Sequence, residues 1–278
     1  MCLTAPPSVE LVSRVRDLYA TRVSDVRFLI PVLNGLTKKE ILAALPKLIK
    51  LNPVVVKEVF NKLLGLQNTN EENFPVSPTE LLVALHLIDP NKADLKYIIK
   101  ATALCFAEKQ TYTQEVLALV LQRLMEEADI PVLMMRTLLQ ALTLYPALVG
   151  LTLNILRRLI DKEIWNHKVA WEGWIKCCER TTPSSCNVLI ALPAAPLAAC
   201  LSSAPTLATA LRAHVDALTP NQRGLLPPHL LAQLAAPLGH GPAPTLVPAP
   251  IEFQADSQYN PTLVSVGNPI EPLPPGME

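Results

Sequence analysis

Helix-start signals recur along the first 180 residues at a spacing of about 34 to 40, which points to stacked helical hairpins. Thr37 with Glu40 reads as a capping box, in which each side chain satisfies a free backbone N–H of the first turn. Ser77-Pro78-Thr79-Glu80 repeats the device with proline at the first helical position, and Thr111 to Gln114 reads as a third box. First helices are therefore expected near 37, 77, 113 and 147, without a fixed consensus between repeats. The pattern predicts an all-α protein, an α-solenoid of the HEAT or armadillo type. A compact helical bundle is the rival arrangement.

The unit is clearest over 36–65, LTKKEILAALPKLIKLNPVVVKEVFNKLLG. Ile41, Leu42, Leu45, Leu48 and Ile49 share one helical face. Asn52 and Pro53 restart the chain as N-cap and first helical residue, and Val56, Val59, Phe60, Leu63 and Leu64 form the next apolar face before Gly65 stops it. So short a turn joins antiparallel neighbours. Pro46 removes the hydrogen bond to the carbonyl of Leu42 and is expected to bend the first helix, as a curved stack would use. Segments 8–21 and 25–34 form an earlier pair, and LLVALHLI, DLKYIIKATALCFAE, EVLALVLQRLMEE, VLMMRTLLQALTLY, LVGLTLNILRRLIDKEI and 168–180 continue the series. Val54–Val56 and Leu133–Met135 are apolar nearly all round, as helices covered on two sides must be.

Charge and proline divide the chain. Residues 1–180 hold 22 Lys/Arg and 19 Asp/Glu, whereas 181–278 hold 2 and 5 together with 17 of the 27 prolines. The expected organisation is a disordered start over 1–7, a helical-repeat domain over 8–181, proline-interrupted short helices over 182–238 that cap the repeat end, and a disordered proline-rich tail over 239–278. The short helices are expected at 186–192, 194–203, 206–217 and 228–238. Thr181 to Leu211 carries no charge, but Pro183, Pro193, Pro196 and Pro205 cut it, so no membrane span is expected. Zero net charge gives no global pull toward nucleic acid or membrane, and only 9 glycines argue against a parallel α/β enzyme. No basic-then-apolar leader opens MCLTAPPSVE. The six cysteines are therefore expected as free thiols in a reducing compartment.

Catalytic patterns are missing from the sequence: no G-x-S-x-G, no phosphate-binding glycine loop, no H-E-x-x-H. No enzyme activity, cofactor or metal is expected. Cys177, Cys178, Cys186 and His167 come nearest to a metal set, but adjacent cysteines on a helix point about 100° apart and the spacing fits no zinc pattern. His86, within LLVALHLI, reads as a satisfied core or boundary histidine. Glu71-Glu72 and Glu126-Glu127 read as solvated carboxylates in a loop or at a helix end.

Two clusters could bind a macromolecule. Arg157, Arg158, Lys162, Lys168, Lys176 and Arg180 could touch RNA phosphates, although Asp161, Glu163, Glu172 and Glu179 interleave with them and a solvated, ion-paired face is the plainer reading. Trp165, Trp171 and Trp174 fall within ten residues, and Trp171 and Trp174 share a helix face. They read either as a plug between repeats and cap or as a partner hot spot. Two function classes follow, a scaffold docking proteins along its helical surface and an RNA-contacting helical-repeat protein. Zero net charge and the lack of a recurrent polar or aromatic code favour the scaffold, without direct RNA contact.

The stretches VSRVRDLYATRVSDVRFLIPVLNGLTKKEILAALPKLIKLNPVVVKEVFNKLLG, SPTELLVALHLID, DIPVLMMRTLLQALTLYPALVGLTLNILRRLI and KVAWEGWIKCCERTTPSS resemble the C-terminal domain of the symplekin family, over about residues 9–200. The resemblance implies an all-helical scaffold of the pre-mRNA cleavage and polyadenylation machinery, also used on histone pre-mRNAs. It implies as partners the endonuclease subunit of the cleavage and polyadenylation specificity factor, its catalytically inactive paralogue and other 3′-end processing factors. It further implies a nuclear protein with an additional cytoplasmic or cell-junction pool. The family's N-terminal phosphatase-binding domain has no counterpart in the sequence, which therefore reads as a fragment or short form, and phosphatase binding is not carried over. The family has no short motif from which individual contact residues could be transferred.

Overall fold

The computed structural model describes residues 7–65 and 75–235, which are helices and their connections, with no strand among the described residues. In chain order these are α1 (Val9–Thr21), a 3-10 segment (Val26–Gly35), α2 (Lys38–Leu48), α3 (Pro53–Leu63), α4 (Pro78–His86), α5 (Leu95–Ala107), α6 (Gln114–Glu126) and α7 (Met134–Leu144). They continue with α8 (Val149–Asp161), α9 (Lys168–Arg180), α10 (Cys186–Leu189), α11 (Ala194–Ser203), α12 (Pro205–Asp216), α13 (Pro220–Gly224) and α14 (Pro228–Ala235). The tail expected over 239–278, residues 1–6 of the expected disordered start, and Glu71-Glu72 lie outside the described residues.

The local start signals act as their chemistry requires. In α2 the Thr37 N–H donates to Glu40 Oε2 at 2.8 Å while Glu40 N–H donates back to Thr37 Oγ1 at 3.4 Å. Ser77 and Glu80 repeat this in α4 at 3.0 and 3.2 Å. Asn52 Oδ1 accepts from Val54 N–H at 3.0 Å, and Gly65 sits at φ 66°, the left-handed conformation that ends α3. The third box is shifted. Thr113, not Thr111, caps α6, because Thr111 and Tyr112 close a turn back onto the Glu108 carbonyl and Tyr112 is buried there. Segment 25–34 is a 3-10 rather than an α-helix. Its buried Val26, Leu29 and Val32 are three apart, the spacing that lines up on one face at three residues per turn. Pro46 is buried in the last turn of α2, two residues before its end.

Packing follows the repeat pattern. Successive helices pair as α4 with α5, α6 with α7, α7 with α8 and α8 with α9, while α3 stacks on α5, α4 on α6, α7 on α9 and α8 on α10. The stacked pairs α3–α5 and α7–α9 are thus odd-numbered and the stacked pairs α4–α6 and α8–α10 even-numbered, with leucine-rich faces such as Leu81, Leu82 and Leu85 of α4 and Leu117, Leu121 and Leu124 of α6 buried. That is the helical-repeat architecture in which each hairpin covers its neighbour's apolar face. Polar struts tie the repeats together. Lys38 pairs with Glu80 at 2.5 Å between α2 and α4, and Lys57 with Glu108 at 2.7 Å between α3 and the end of α5. His86 on α4 bonds Thr137 on α7 at 2.6 Å.

Helices α10 to α14 close onto the last repeats. α10 packs on α8 and α12, α12 packs on α9, and α11 packs on α12 and α14. Ser185 Oγ donates to the Cys178 carbonyl at 2.7 Å, and Thr206 Oγ1 donates to Glu179 Oε1 at 2.8 Å. Among the described residues no single helix is long and apolar enough to cross a membrane; α11 and α12 would pass only together, and they meet at a bend of 118°. Their apolar residues Leu197, Cys200, Leu207 and Leu211 are buried in the protein core.

Candidate docking surfaces

Each set of helices leaves a groove. On the odd-numbered side α7 packs closely on α9, and an open groove of about 820 Å³ runs among α5, α7 and α9. Ala103 and Ala107 of α5, Leu139 with Thr143 and Gln140 with Leu144 of α7, and Lys176 with Arg180 of α9 line it as i, i+4 rows, above the nearly buried ring of Phe106. The floor is apolar and one rim is basic. Glu179 also stands at that rim, with Oε1 engaged by the Thr206 hydroxyl.

The even-numbered side carries a smaller groove of about 390 Å³ among α2, α4 and α6, with Leu42, Pro46, Val83, Ala84 and the 47 % exposed Leu87 along it. The Lys38–Glu80 ion pair ties two of its walls together. Lys38, and then the Ser77 N–H, hold the Glu80 carboxyl below its ordinary range.

The tryptophans divide. Trp174 is wholly buried, and its indole N–H donates to the Leu156 carbonyl of α8 at 3.0 Å. Trp171 stacks on it with ring centroids 5.0 Å apart and an interplanar angle of 20°. Trp171 and Trp165 are half-buried against the core. Trp174 is thus an anchor between α8 and α9, and the partly open ring of Trp171 lies against it.

The basic set does not form one patch on one helix. Arg157 and Arg158 are exposed on α8, and the Lys162 ammonium donates to the Glu127 carbonyl. Lys168 opens α9, eight residues before Lys176, a rise of about 12 Å. Lys176 and Arg180 belong to the odd-side groove.

His86 and the described cysteines belong to the core. His86 is buried with both ring nitrogens engaged. Nδ1 lies 2.7 Å from the Leu82 carbonyl, which can only accept, so Nδ1 carries the proton and Nε2 accepts from the Thr137 hydroxyl. Burial lowers the His86 pKa, against the opposing pull of the Leu82 carbonyl, which keeps the ring neutral. Cys105, Cys177, Cys178, Cys186 and Cys200 are free and buried. Burial pushes Cys105, Cys177 and Cys200 up to about 12, and raises Cys178 and Cys186 as well. His167 stands at the opposite end of α9 from Cys177, and no group of three or more His, Cys, Asp or Glu among the described residues could hold a metal ion.

The odd-side groove was missed in the sequence because it forms among three helices, which no single helix pattern encodes. Its one local trace is the i, i+4 pair of small exposed residues, Ala103 and Ala107, on an otherwise strongly apolar helix.

A comparison with solved structures finds no match. Residues 25–204, more than half of the 278, match the family described as "Symplekin tight junction protein C terminal". The matched span runs from the 3-10 segment to the end of α11 and so takes in every helix that lines the two grooves. This all-helical repeat chain belongs to the symplekin C-terminal family.

Proposed function

We propose that the chain is a non-catalytic scaffold of the pre-mRNA cleavage and polyadenylation machinery, acting also on histone pre-mRNAs. In this role it holds the endonuclease subunit of the cleavage and polyadenylation specificity factor and its inactive paralogue in one cleavage module, in the nucleus. The observation that carries the reading is the family match over residues 25–204, α2 to α11. The two open grooves of that span supply surface of the kind a docking protein needs.

The mechanism is structural. Partner segments bury apolar side chains in the grooves while charged rims set their orientation. Holding nuclease and recognition factors on one rigid body raises their effective concentration for one another. The buried, neutral His86 and the protonated thiols take no part in chemistry.

Co-expression of the full chain with the C-terminal regions of the endonuclease subunit and its paralogue, separately and together, tests the reading. A ternary complex surviving 0.5 M salt (a concentration of order ten times that at which exposed ion pairs act strongly) is expected. A folded helical chain that captures neither partner would overturn it.

A further inference from the structure

The odd-side groove is shaped for one kind of occupant. Its walls are i, i+4 rows on three helices, the ridges between which a further helix seats its own. Ala103 and Ala107 keep one wall low, so an incoming backbone can approach α5 closely, while Leu139, Leu144 and Phe106 offer apolar contact. The rim carries two cations and one carboxylate, Glu179. Among the described residues no carboxylate forms an ion pair with Lys176 or Arg180, and the neighbouring Glu179 is turned to Thr206. The even-side groove differs on both counts, being about half as large and tied across by Lys38 and Glu80. An apolar floor with two cations on one side is poor for an RNA strand, which needs a basic track and stacking faces along its length.

We infer that the groove among α5, α7 and α9 receives an amphipathic helix of a protein partner, apolar on the face toward Leu139 and Leu144 and acidic on the side facing Lys176 and Arg180. The inference rests on the scaffold reading above and assigns the docking site within it. Apolar contact with the floor holds the helix, and the two cations fix its direction and speed its arrival.

The test uses the full chain with the endonuclease and paralogue C-terminal regions as probe. Lys176→Glu with Arg180→Glu should weaken the complex at least tenfold at 0.1 M salt, and by less at 0.5 M. Arg157→Glu with Arg158→Glu, exposed on α8, should leave it unchanged, and melting curves check that each variant folds. A photo-crosslinking residue in place of Thr143 should map to an acidic segment of the probe with apolar residues three and four apart. No complex with the wild-type chain would overturn the scaffold reading and this inference together. A wild-type complex that tolerates the groove variant, or that loses affinity equally in both variants, would overturn the groove alone. So would tight binding of a 20-nucleotide uridine RNA that the groove variant abolishes.

Discussion

His86 Nε2 lies 2.6 Å from Thr137 Oγ1, joining the last turn of α4 to α7 across 51 residues of sequence. Nδ1 already donates to the Leu82 carbonyl, so in the neutral imidazole Nε2 accepts from the Thr137 hydroxyl, and protonation would reverse that bond and place a charge in the buried core.

Stability should therefore fall in mild acid. The folded pKa of His86 lies below its ordinary 6.5, so below that pH the unfolded chain takes up a proton that the folded chain refuses. The contribution is fully present above 6.5 and is lost as pH falls toward the folded value. Urea unfolding at pH 7.5 and 5.5 should show a larger acid loss for the natural chain than for His86→Gln. Thr137→Val, which strands Nε2, should cost about 1–3 kcal/mol at pH 7.5.

Two glycines in neighbouring helices should respond with opposite signs. A Cβ on Gly173 of α9 would stand 2.6 Å from Met135 Cβ of α7, while one on Gly150 of α8 would meet nothing within 4 Å. Gly173→Ala should destabilise by about 1–3 kcal/mol despite its better helix propensity. Gly150→Ala should stabilise by up to about 1 kcal/mol. Thermal or urea unfolding of the two variants checks the close approach of α7 and α9.

Trp174 should be a large contributor to stability. Its ring is wholly buried and its N–H is satisfied within α8, so Trp174→Ala should cost about 3–5 kcal/mol. Trp171→Ala, from a half-buried position, should cost less in unfolding measurements.

The described thiols should be inert in the folded state. At pH 8 Cys105, Cys177 and Cys200, pushed up to about 12 by burial, remain protonated. Labelling with a thiol-exchange reagent followed by peptide mapping should find Cys105, Cys177, Cys178, Cys186 and Cys200 unmodified in native protein and fully modified in urea.

Local rules carried much of the fold in the sequence. The boxes at Thr37 and Ser77, the Asn52-Pro53 restart and the Gly65 stop are all near-neighbour chemistry, and each appears as hydrogen bonds or a backbone angle. The misassignments arose where neighbours further off decide. Thr111 holds a good box pattern, but buried Tyr112 fixes a turn that delays α6 to Thr113. Thr219-Pro220-Asn221-Gln222 repeats the Ser77 device and starts α13, a five-residue helix with no buried residue and so no apolar face to mark it in the sequence. The basic residues of 157–180 look like one run in the sequence, but the helical rise and the step from α8 to α9 distribute them between α8 and the odd-side groove.

In the proposed scaffold role these repeats would assemble a cleavage machine without performing its chemistry. The most direct measurement is pre-mRNA cleavage by a processing complex reconstituted with and without residues 9–200 of this chain. If the repeats are the scaffold, cleavage collapses without the segment and returns when it is added back, with the endonuclease subunit and its paralogue co-purifying only in its presence. Normal assembly and undiminished cleavage in its absence would contradict that role.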